Sequence, residues 1–149
     1  MTQEKDLAQR RRGAESTSST VEPTLNELTK LIVDAGLEIH KELGPGLLET
    51  VYETVLAREL TLRGLHVLRQ VSLPVTWKGE ALENSFRADL IVEGRVIVEL
   101  KSVEQIAAVH KKQVLTYLKL TGMKVGLLLN FGTELFRDGI HRLANGIED

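Results

Sequence analysis

The stretch that decides the fold is Asp89-Leu90-Ile91-Val92-Glu93-Gly94-Arg95-Val96-Ile97-Val98-Glu99-Leu100-Lys101. Glu93-Gly94 is typical of a tight turn, and it separates two runs whose even positions are all apolar apart from the turn itself. Asp89, Glu99 and Lys101 all occupy odd positions. A period of two residues is the spacing of a strand, so the stretch predicts two antiparallel strands joined by a hairpin.

The hydrophobic pattern also predicts the pairing of these strands. The apolar set of the first strand also includes the even positions Phe86 and Ala88. Both apolar sets must face one side of the sheet, because a shift of one residue would turn one set to the other side. Directly opposed residues share a side, so even positions must pair with even ones. A three-residue loop over 93–95 meets this requirement and pairs Val92 with Val96. The same register brings Asp89 opposite Glu99, with Lys101 two residues further along on the same side.

Two charged residues, Glu99 and Lys101, interrupt an otherwise apolar strand. Burying a charge without a partner is costly, and two facing carboxylates repel each other. A bound divalent cation would relieve that repulsion, and hard oxygen ligands favour Mg²⁺ or Mn²⁺. The alternative is a surface salt-bridge cluster of Asp89, Glu99 and Lys101, with Arg87 nearby. The spacing alone does not choose between the metal site and the salt-bridge cluster.

Two helices precede the strands. Thr24 and Glu27 have the spacing of a capping box and predict a helix that runs to about Leu43. Gly44-Pro45-Gly46 ends this helix, and a second amphipathic helix follows at once, with Gly64 as its C-terminal cap. The first 23 residues hold almost no large apolar side chain, so we expect residues 1–23 to form a disordered tail and 24–149 to form one domain.

From about residue 66 the apolar period changes from helical to strand-like. Pro74 suggests an edge strand or a bulge, and Asp138-Gly139 a closing hairpin. The strand–helix–strand spacing implies a right-handed crossover between parallel strands. The pattern therefore predicts an α/β fold, a mixed sheet flanked by helices in the order ααβββαβ, with strands over 66–77, 81–92, 95–102 and 124–131 and a helix over 104–121.

Composition excludes several classes of protein. The 149-residue chain has no cysteine, which rules out disulfide scaffolds and thiol chemistry. It has no apolar run near the roughly 20 residues that span a bilayer, and its N-terminus lacks the apolar core of a signal peptide. We therefore expect a cytoplasmic protein with no membrane partner. The net charge is −2, but residues 61–124 carry ten bases and six acids, so only this part favours a polyanion.

Three motifs carry a resemblance to a known family. Asp89, nine residues and then Glu99-x-Lys101 on consecutive strands resemble the PD-(D/E)XK nuclease superfamily. Gln113-x-x-x-Tyr117 is similar to a motif of its RecB-like and lambda-exonuclease-like branch. Gly46-x-x-Glu49-x-x-Tyr52 is similar to the signature of the small GxxExxY proteins of the same superfamily. The match runs from about residue 31 to 132, and it implies a restriction-endonuclease-like core.

The resemblance also implies roles for these residues. Asp89 and Glu99 would bind a catalytic Mg²⁺ or Mn²⁺, with Glu49 as an additional acidic ligand. Lys101 would orient or activate the attacking water and offset charge on the phosphorus. Gln113 and Tyr117 would position the scaffold or the phosphodiester. One departure is Ala88, which stands where the family name has proline.

The resulting hypothesis is a Mg²⁺-dependent nuclease that cleaves phosphodiester bonds in DNA in preference to RNA. The competing hypothesis is a catalytically idle nuclease fold that binds nucleic acid or a protein partner. Because the chain is small for a catalytic protein that holds a duplex, it would act as a homo-oligomer or with a partner. The residues considered for nucleic-acid contact are His110, Lys111, Lys112 and Arg87, and the alternative for the lysines is a merely solvated helix face.

Several of these residues also have structural explanations. Glu49 in the first turn of a helix is favoured by the helix dipole alone. Tyr52 falls among apolar residues and is expected to pack in the core, and Tyr117 has the same alternative at the core boundary. A cation at a helix C-terminus explains His40.

Overall fold

The first helix begins at a complete capping box. In the computed structural model, which describes residues 21–146 apart from the side chains of 83–85, Thr24 Oγ1 accepts a hydrogen bond from Glu27 N (3.1 Å). Glu27 Oε1 in turn accepts one from Thr24 N (2.9 Å). Helix α1 spans Leu25–Leu43 and ends at Gly44, whose φ of 71° needs a glycine. Both predicted ends of α1 are therefore confirmed.

Helix α2 (Glu49–Leu62) follows after the short loop that Pro45 and Gly46 form. Its buried side chains, together with those of α1, cover one side of the sheet. Tyr52 is fully buried and stacks on Phe131 with ring centroids 4.5 Å apart. The expectation that Tyr52 packs in the core is confirmed.

A five-stranded mixed sheet forms the centre of the fold, and its spatial order follows the chain: β1 (Val67–Trp77), β2 (Glu80–Val92), β3 (Val96–Lys101), β4 (Val125–Asn130) and β5 (Ile140–Ala144). Strands β3 and β4 are parallel and are joined through helix α3 (Ala108–Thr121), whereas the other neighbours are antiparallel. A short 3₁₀ helix, Phe136–Gly139, leads into the last strand. The order ααβββαβ is confirmed. Asp138 and Gly139, which the sequence suggested as the turn of a closing hairpin, lie in this 3₁₀ helix, and the strand that follows pairs antiparallel with β4.

The predicted register of the β2–β3 hairpin is confirmed. Val92 pairs with Val96 and Leu90 with Val98, across a turn in which Glu93 and Gly94 have φ values of 55° and 64°. The next opposed positions in this register are Asp89 and Glu99. The hydrogen-bonded ladder stops just before them, at Leu90.

One part of the pattern was interpreted wrongly. Leu90 and Val92 pack with α1 and α2, as the rule of a single apolar face requires, but Phe86 and Ala88 pack on the opposite side, with α3. The apolar side of β2 thus changes at Asp89. On β1 the neighbouring position is Gln70, whose φ of 51° lies in the left-handed region and breaks the alternation of that strand as well.

Two boundaries differ from the predicted ones or refine them. Helix α3 begins at Ala108 rather than at 104, because residues 102–107 form the loop that crosses the end of the sheet. The register of β1 and β2 shifts between Leu73 and Val75, as Pro74 predicts for an edge strand. Most of the predicted tail lies outside the described residues. None of the helices within 21–146 is long and apolar enough to cross a membrane.

Candidate active site

Asp89 and Glu99 hold each other's strands at the end of the β2–β3 ladder. The backbone N–H of Asp89 donates to Glu99 Oε2 (2.9 Å), and the backbone N–H of Leu100 donates to Asp89 Oδ2 (2.9 Å). Each carboxylate therefore takes a place that a strand carbonyl would otherwise occupy. This exchange fixes one oxygen of each group, and it brings the two acids together as the hairpin register predicts.

The two carboxylates lie in an environment that disfavours their charge. Glu99 is only 8% exposed, and burial, reinforced by the charge of Asp89, raises its pKa to about 8. Burial also raises the pKa of Asp89, and the charges of Glu53 and Glu49 add to that rise, against a lowering by the Leu100 N–H. An excess of negative charge at this point is the electrostatic condition that a bound cation would relieve.

Lys101 follows Glu99 by two residues and is half-buried. Its charge lowers the pKa of Glu99, in opposition to burial, so the ammonium lies within electrostatic reach of that carboxylate. Among the described residues, the Lys101 ammonium makes no hydrogen bond and no ion pair. The salt-bridge cluster of Asp89, Glu99 and Lys101 is therefore not formed, and the ammonium can contact a further group.

A further acid, Glu53 of α2, lies beside this pair and is buried like Glu99, although it was not among the predicted site residues. Glu53 is 5% exposed; its Oε1 accepts from Gln70 Nε2 (2.8 Å), and its Oε2 pairs with Arg69 Nε (3.2 Å). The Gln70 amide is also 3.4 Å from Asp89 Oδ1. The signal for Glu53 was present in the sequence: Leu56, Ala57 and Leu60, at spacings of three, four and seven, form the buried face on which it lies.

Helix α3 presents Tyr117 to the same carboxylates. Burial raises the pKa of Tyr117, and the charges of Glu99 and Asp89 raise it further, which places the phenol within their field. Its ring meets Phe86 edge-on, with centroids 4.9 Å apart. Gln113 is exposed one turn earlier on the same side of α3.

Sequence comparison with known families decides the assignment. Residues 26–143 match the family model of the PD-(D/E)XK nuclease superfamily. The chain belongs to this superfamily. No curated protein matches the chain. Among solved structures, the crystal structure of SSO0001 is 16% identical, aligns with 81% of this chain over 79% of its own, and gives a TM-score of 0.39.

The loop after Lys101 in this PD-(D/E)XK chain is clamped by β4. Asn130, which is fully buried opposite Lys101, accepts from Val103 N (3.0 Å) and Gly132 N (3.0 Å) and donates to Val103 O (2.9 Å). A side chain at Gly132 would collide with the backbone of Val103, so only glycine fits there. These contacts fix where β3 ends and hence where Lys101 projects.

Glu49 lies at the start of α2, at the rim of an open groove of about 650 Å³ between the loops 45–50 and 102–104. Its side chain is exposed, and its charge contributes to the raised pKa of Asp89. The loop over residues 45–50, here called the groove loop, is held by two hydrogen bonds to Leu47. The Tyr52 hydroxyl accepts from Leu47 N (3.1 Å), and Ser102 Oγ donates to Leu47 O (2.6 Å).

Three of the four residues considered for nucleic-acid contact follow one another near the start of α3, His110, Lys111 and Lys112, whereas Arg87 lies on β2. Lys111 lowers the pKa of His141 on β5, a shift caused mainly by burial, so it lies on the side of α3 away from β2. Lys112 is exposed, and Arg87 is exposed on β2 opposite Ser72. His110 caps its own helix, with Nδ1 accepting from Ala107 N (3.1 Å).

His40 has a structural role. Its ring is buried, with Nε2 2.8 Å from Thr133 O and with Phe136 at 5.5 Å between centroids. His40 therefore packs between α1 and the residues after β4, in addition to its place in the last turn of α1.

The donor set of the site fits a small divalent cation. Asp89 and Glu99 supply hard oxygens, and Mg²⁺ is commonly held by one or two carboxylates and several waters. Within residues 21–146, however, no three His, Asp or Glu side chains are grouped closely enough to hold a metal ion by themselves. Water or phosphate oxygens would therefore complete the coordination.

Proposed function

We propose that this chain is a divalent-cation-dependent nuclease that cleaves phosphodiester bonds in DNA. Membership of the superfamily supports phosphodiester cleavage. The single observation that carries the proposal is the arrangement at the end of β3: two carboxylates bound to each other's strands, with the ammonium of Lys101 left without a partner among the described residues. A purely structural charge cluster would pair that lysine.

The chain's own residues would divide the work as follows. Asp89 and Glu99 would hold Mg²⁺ or Mn²⁺, which supplies Lewis-acid polarisation of the phosphate. Lys101 would orient the attacking water and offset the charge that develops on the phosphoryl oxygens. Tyr117 and Gln113, on the adjacent face of α3, would position the phosphodiester.

Helix α2 offers two candidates for a third acidic group at the site, Glu49 and Glu53. Glu49 is exposed at the groove and free to turn toward a cation, whereas Glu53 is buried and held by Arg69 and Gln70. We propose Glu49 as the additional ligand and Glu53 as the group that fixes Gln70 beside Asp89. This division would also give Glu49 and Tyr52 of the GxxExxY-like motif distinct roles, as ligand and as brace of the groove loop.

The proposal extends to the substrate. DNA comes before RNA in it because Gln113 and Tyr117 resemble a motif of the RecB-like branch. The candidates for phosphate contact are Arg87, His110, Lys111 and Lys112. Lys111 is the least suited of them because it lies toward β5. Action as a homo-oligomer or with a protein partner, and a cytoplasmic location, also belong to the proposal.

A second candidate function is an idle nuclease fold that binds nucleic acid or a protein. The observation that favours it is the lack, in the described range 21–146, of a group of three potential ligands. An idle fold would bind no metal, or its metal binding would not change when Asp89 is replaced.

The test is cleavage of labelled single- and double-stranded DNA and of RNA with Mg²⁺, Mn²⁺ or EDTA. Lys101→Ala is compared with the surface variant Lys30→Ala, because Lys30 is exposed on α1 and has no proposed part in the site. Metal-dependent cutting that is lost in Lys101→Ala and kept in Lys30→Ala is the expected result. Cutting that persists in Lys101→Ala, or in EDTA, would contradict the proposed centre.

A further inference from the structure

Strands β1 and β2 continue well beyond the rest of the sheet. The last β2–β3 pair is Leu90 with Val98, yet the β1–β2 pairing continues to Trp77 with Glu80. Residues 71–77 and 80–88, here called the β1–β2 arm, therefore pair only with each other. The arm begins beside the edge where Asp89 and Glu99 lie and projects away from it.

One face of the arm is an apolar strip that starts at the candidate active site. At its base, Leu73 and Phe86 pack with α3, where Phe86 meets the ring of Tyr117. Two and four residues after Leu73, on the same side of the strand, come Val75 and Trp77. Trp77 lies seven residues from Gln70, which is about 23 Å along an extended strand.

The end of this strip is an exposed aromatic side chain on a tight turn. Trp77 is 65% exposed, and the following Lys78 and Gly79 form a two-residue turn with φ values of 51° and 82°. Lys78 Nζ lies 5.7 Å from the centroid of the indole ring. The tip thus combines a flat apolar surface with one basic residue, Lys78, and one acidic residue, Glu80, which pairs opposite Trp77.

We infer that Trp77 stacks on an unpaired base of the substrate, so that the β1–β2 arm guides a single-stranded segment toward Asp89 and Glu99. This inference rests on the proposed function, and it adds the class of substrate. An aromatic ring can stack on a base only where the face of that base is open, which a paired duplex does not offer away from its ends. Lys78 contacts a neighbouring phosphate.

The strip suits a nucleotide better than a protein surface. A stable protein interface buries about 800 Å² on each partner, whereas one aromatic side chain buries about 150–250 Å². Val75 is half-covered, and Leu82, which pairs opposite it, is 44% exposed. The exposed part of the strip is therefore the indole with parts of these two side chains, which is less than such an interface needs. The surplus of bases over acids in residues 61–124 also favours a polyanion.

Trp77 is the sole tryptophan of the chain, so its fluorescence reports directly on the tip of the arm. The protein is titrated in EDTA with a single-stranded oligodeoxynucleotide and with the blunt duplex of the same sequence. We expect saturable quenching by the single strand and little by the duplex. Trp77→Ala should weaken single-strand binding about 5- to 150-fold, as loss of one stacked base predicts, and Trp77→Phe should keep most of the affinity.

The matched control is Leu62→Ala, because Leu62 is 66% exposed on α2, at the other end of the sheet, and should not affect binding. Single-strand binding that neither quenches Trp77 nor weakens in Trp77→Ala would overturn the inference. Emission that changes with protein concentration alone would overturn it too, since a second copy would then cover the tip. Binding is measured in EDTA and is therefore separate from cleavage. If the protein cleaves DNA but the single strand does not quench Trp77, only the inference about the arm is wrong. If the single strand quenches Trp77 but the protein does not cleave, only the proposed nuclease activity is wrong.

Discussion

At the scale of single residues, the site depends on carboxylates that do the work of backbone carbonyls. Asp89 and Glu99 each accept an N–H at the point where the ladder stops, so both are fixed by the fold rather than by a counter-ion. The N–H groups and the charge of Lys101 offset only part of the cost of burying these carboxylates, because the pKa of each stays raised. The protein therefore keeps a local instability at the place where a cation would bind.

Glu99→Gln should change how stability depends on pH. The pKa of Glu99 is about 8 in the folded protein and about 4.5 when unperturbed, so between these values the folded state binds a proton that the unfolded chain has released. The free energy of unfolding should therefore fall as pH rises from about 5 to 8, and the fall should be smaller in Glu99→Gln. Urea unfolding in EDTA at several pH values measures it.

The control for this experiment is Glu42→Gln, which changes an exposed acid near the end of α1 and should keep the pH dependence of the wild type. Equal slopes in wild type and Glu99→Gln would show that Glu99 titrates normally.

Asn130→Ala should destabilise the loop after Lys101. The substitution removes three hydrogen bonds and leaves the N–H groups of Val103 and Gly132 without this partner in a partly buried setting. We expect a loss of about 2–3 kcal/mol in the free energy of unfolding, since one unsatisfied buried group costs about 1–3 kcal/mol. Chemical denaturation tests this, and a loss below about 0.5 kcal/mol would mean that water replaces the amide.

At the scale of elements, helix α2 is joined to strand β1 by polar contacts rather than by apolar packing alone. Glu53 on α2 binds Arg69 and Gln70 on β1, at the point where β1 and β2 exchange their apolar sides. The left-handed Gln70 and the nearby Asp89 belong to the same irregularity. A regular pair of strands would not bring the Gln70 amide to both acids.

Arg69→Ala should therefore destabilise the protein although Arg69 is itself partly exposed. Removing the guanidinium leaves the buried Glu53 with only Gln70, and after allowance for solvent screening we expect a loss of about 1–2 kcal/mol. The matched control is Lys30→Ala, which breaks the exposed Lys30–Asp34 pair and should cost less than about 0.5 kcal/mol. Comparable losses in thermal or urea unfolding would contradict the account of α2 and β1.

The elements were predictable where a local pattern decides them. The capping box at Thr24, the glycine at 44 and the period-two pairing of Val92 with Val96 required only neighbouring residues. The exchange of sides at Asp89 was not, because it depends on a left-handed residue, Gln70, on a different strand. A glutamine rarely adopts that conformation, and nothing in its own sequence neighbourhood marks it.

The candidate site was predictable to the same extent. The hairpin register brought Asp89 opposite Glu99 without knowledge of the rest of the chain. Glu53 was not predicted, because an acid next to Leu56, Ala57 and Leu60 is usually interpreted as the border of an apolar helix face. Its partners, Arg69 and Gln70, also lie on a different element. The roles of Glu49, Gln113 and Lys112 stay predictions.

At the scale of the whole molecule, the site lies between the two layers of helices, where the pairing of β2 with β3 ends. Helices α1 and α2 cover one side and α3 the other, and the side chains Glu53, Asp89, Glu99 and Tyr117 come from four different elements around that edge. The groove at 45–50 borders the same edge, and the β1–β2 arm rises from it. Burial raises the free-energy cost of charged carboxylates at this position, and the fold nevertheless places several acids there.

The central claim is that Asp89 and Glu99 form a cation site, and its most direct measurement is the free energy of unfolding at pH 8 with Mg²⁺ or Mn²⁺ against EDTA. A ligand that binds only the folded state stabilises it increasingly with concentration. We predict such a rise for the wild type and for Glu42→Gln, and its loss in Asp89→Asn. An equal rise in Asp89→Asn, or none in the wild type with either metal, would contradict the account.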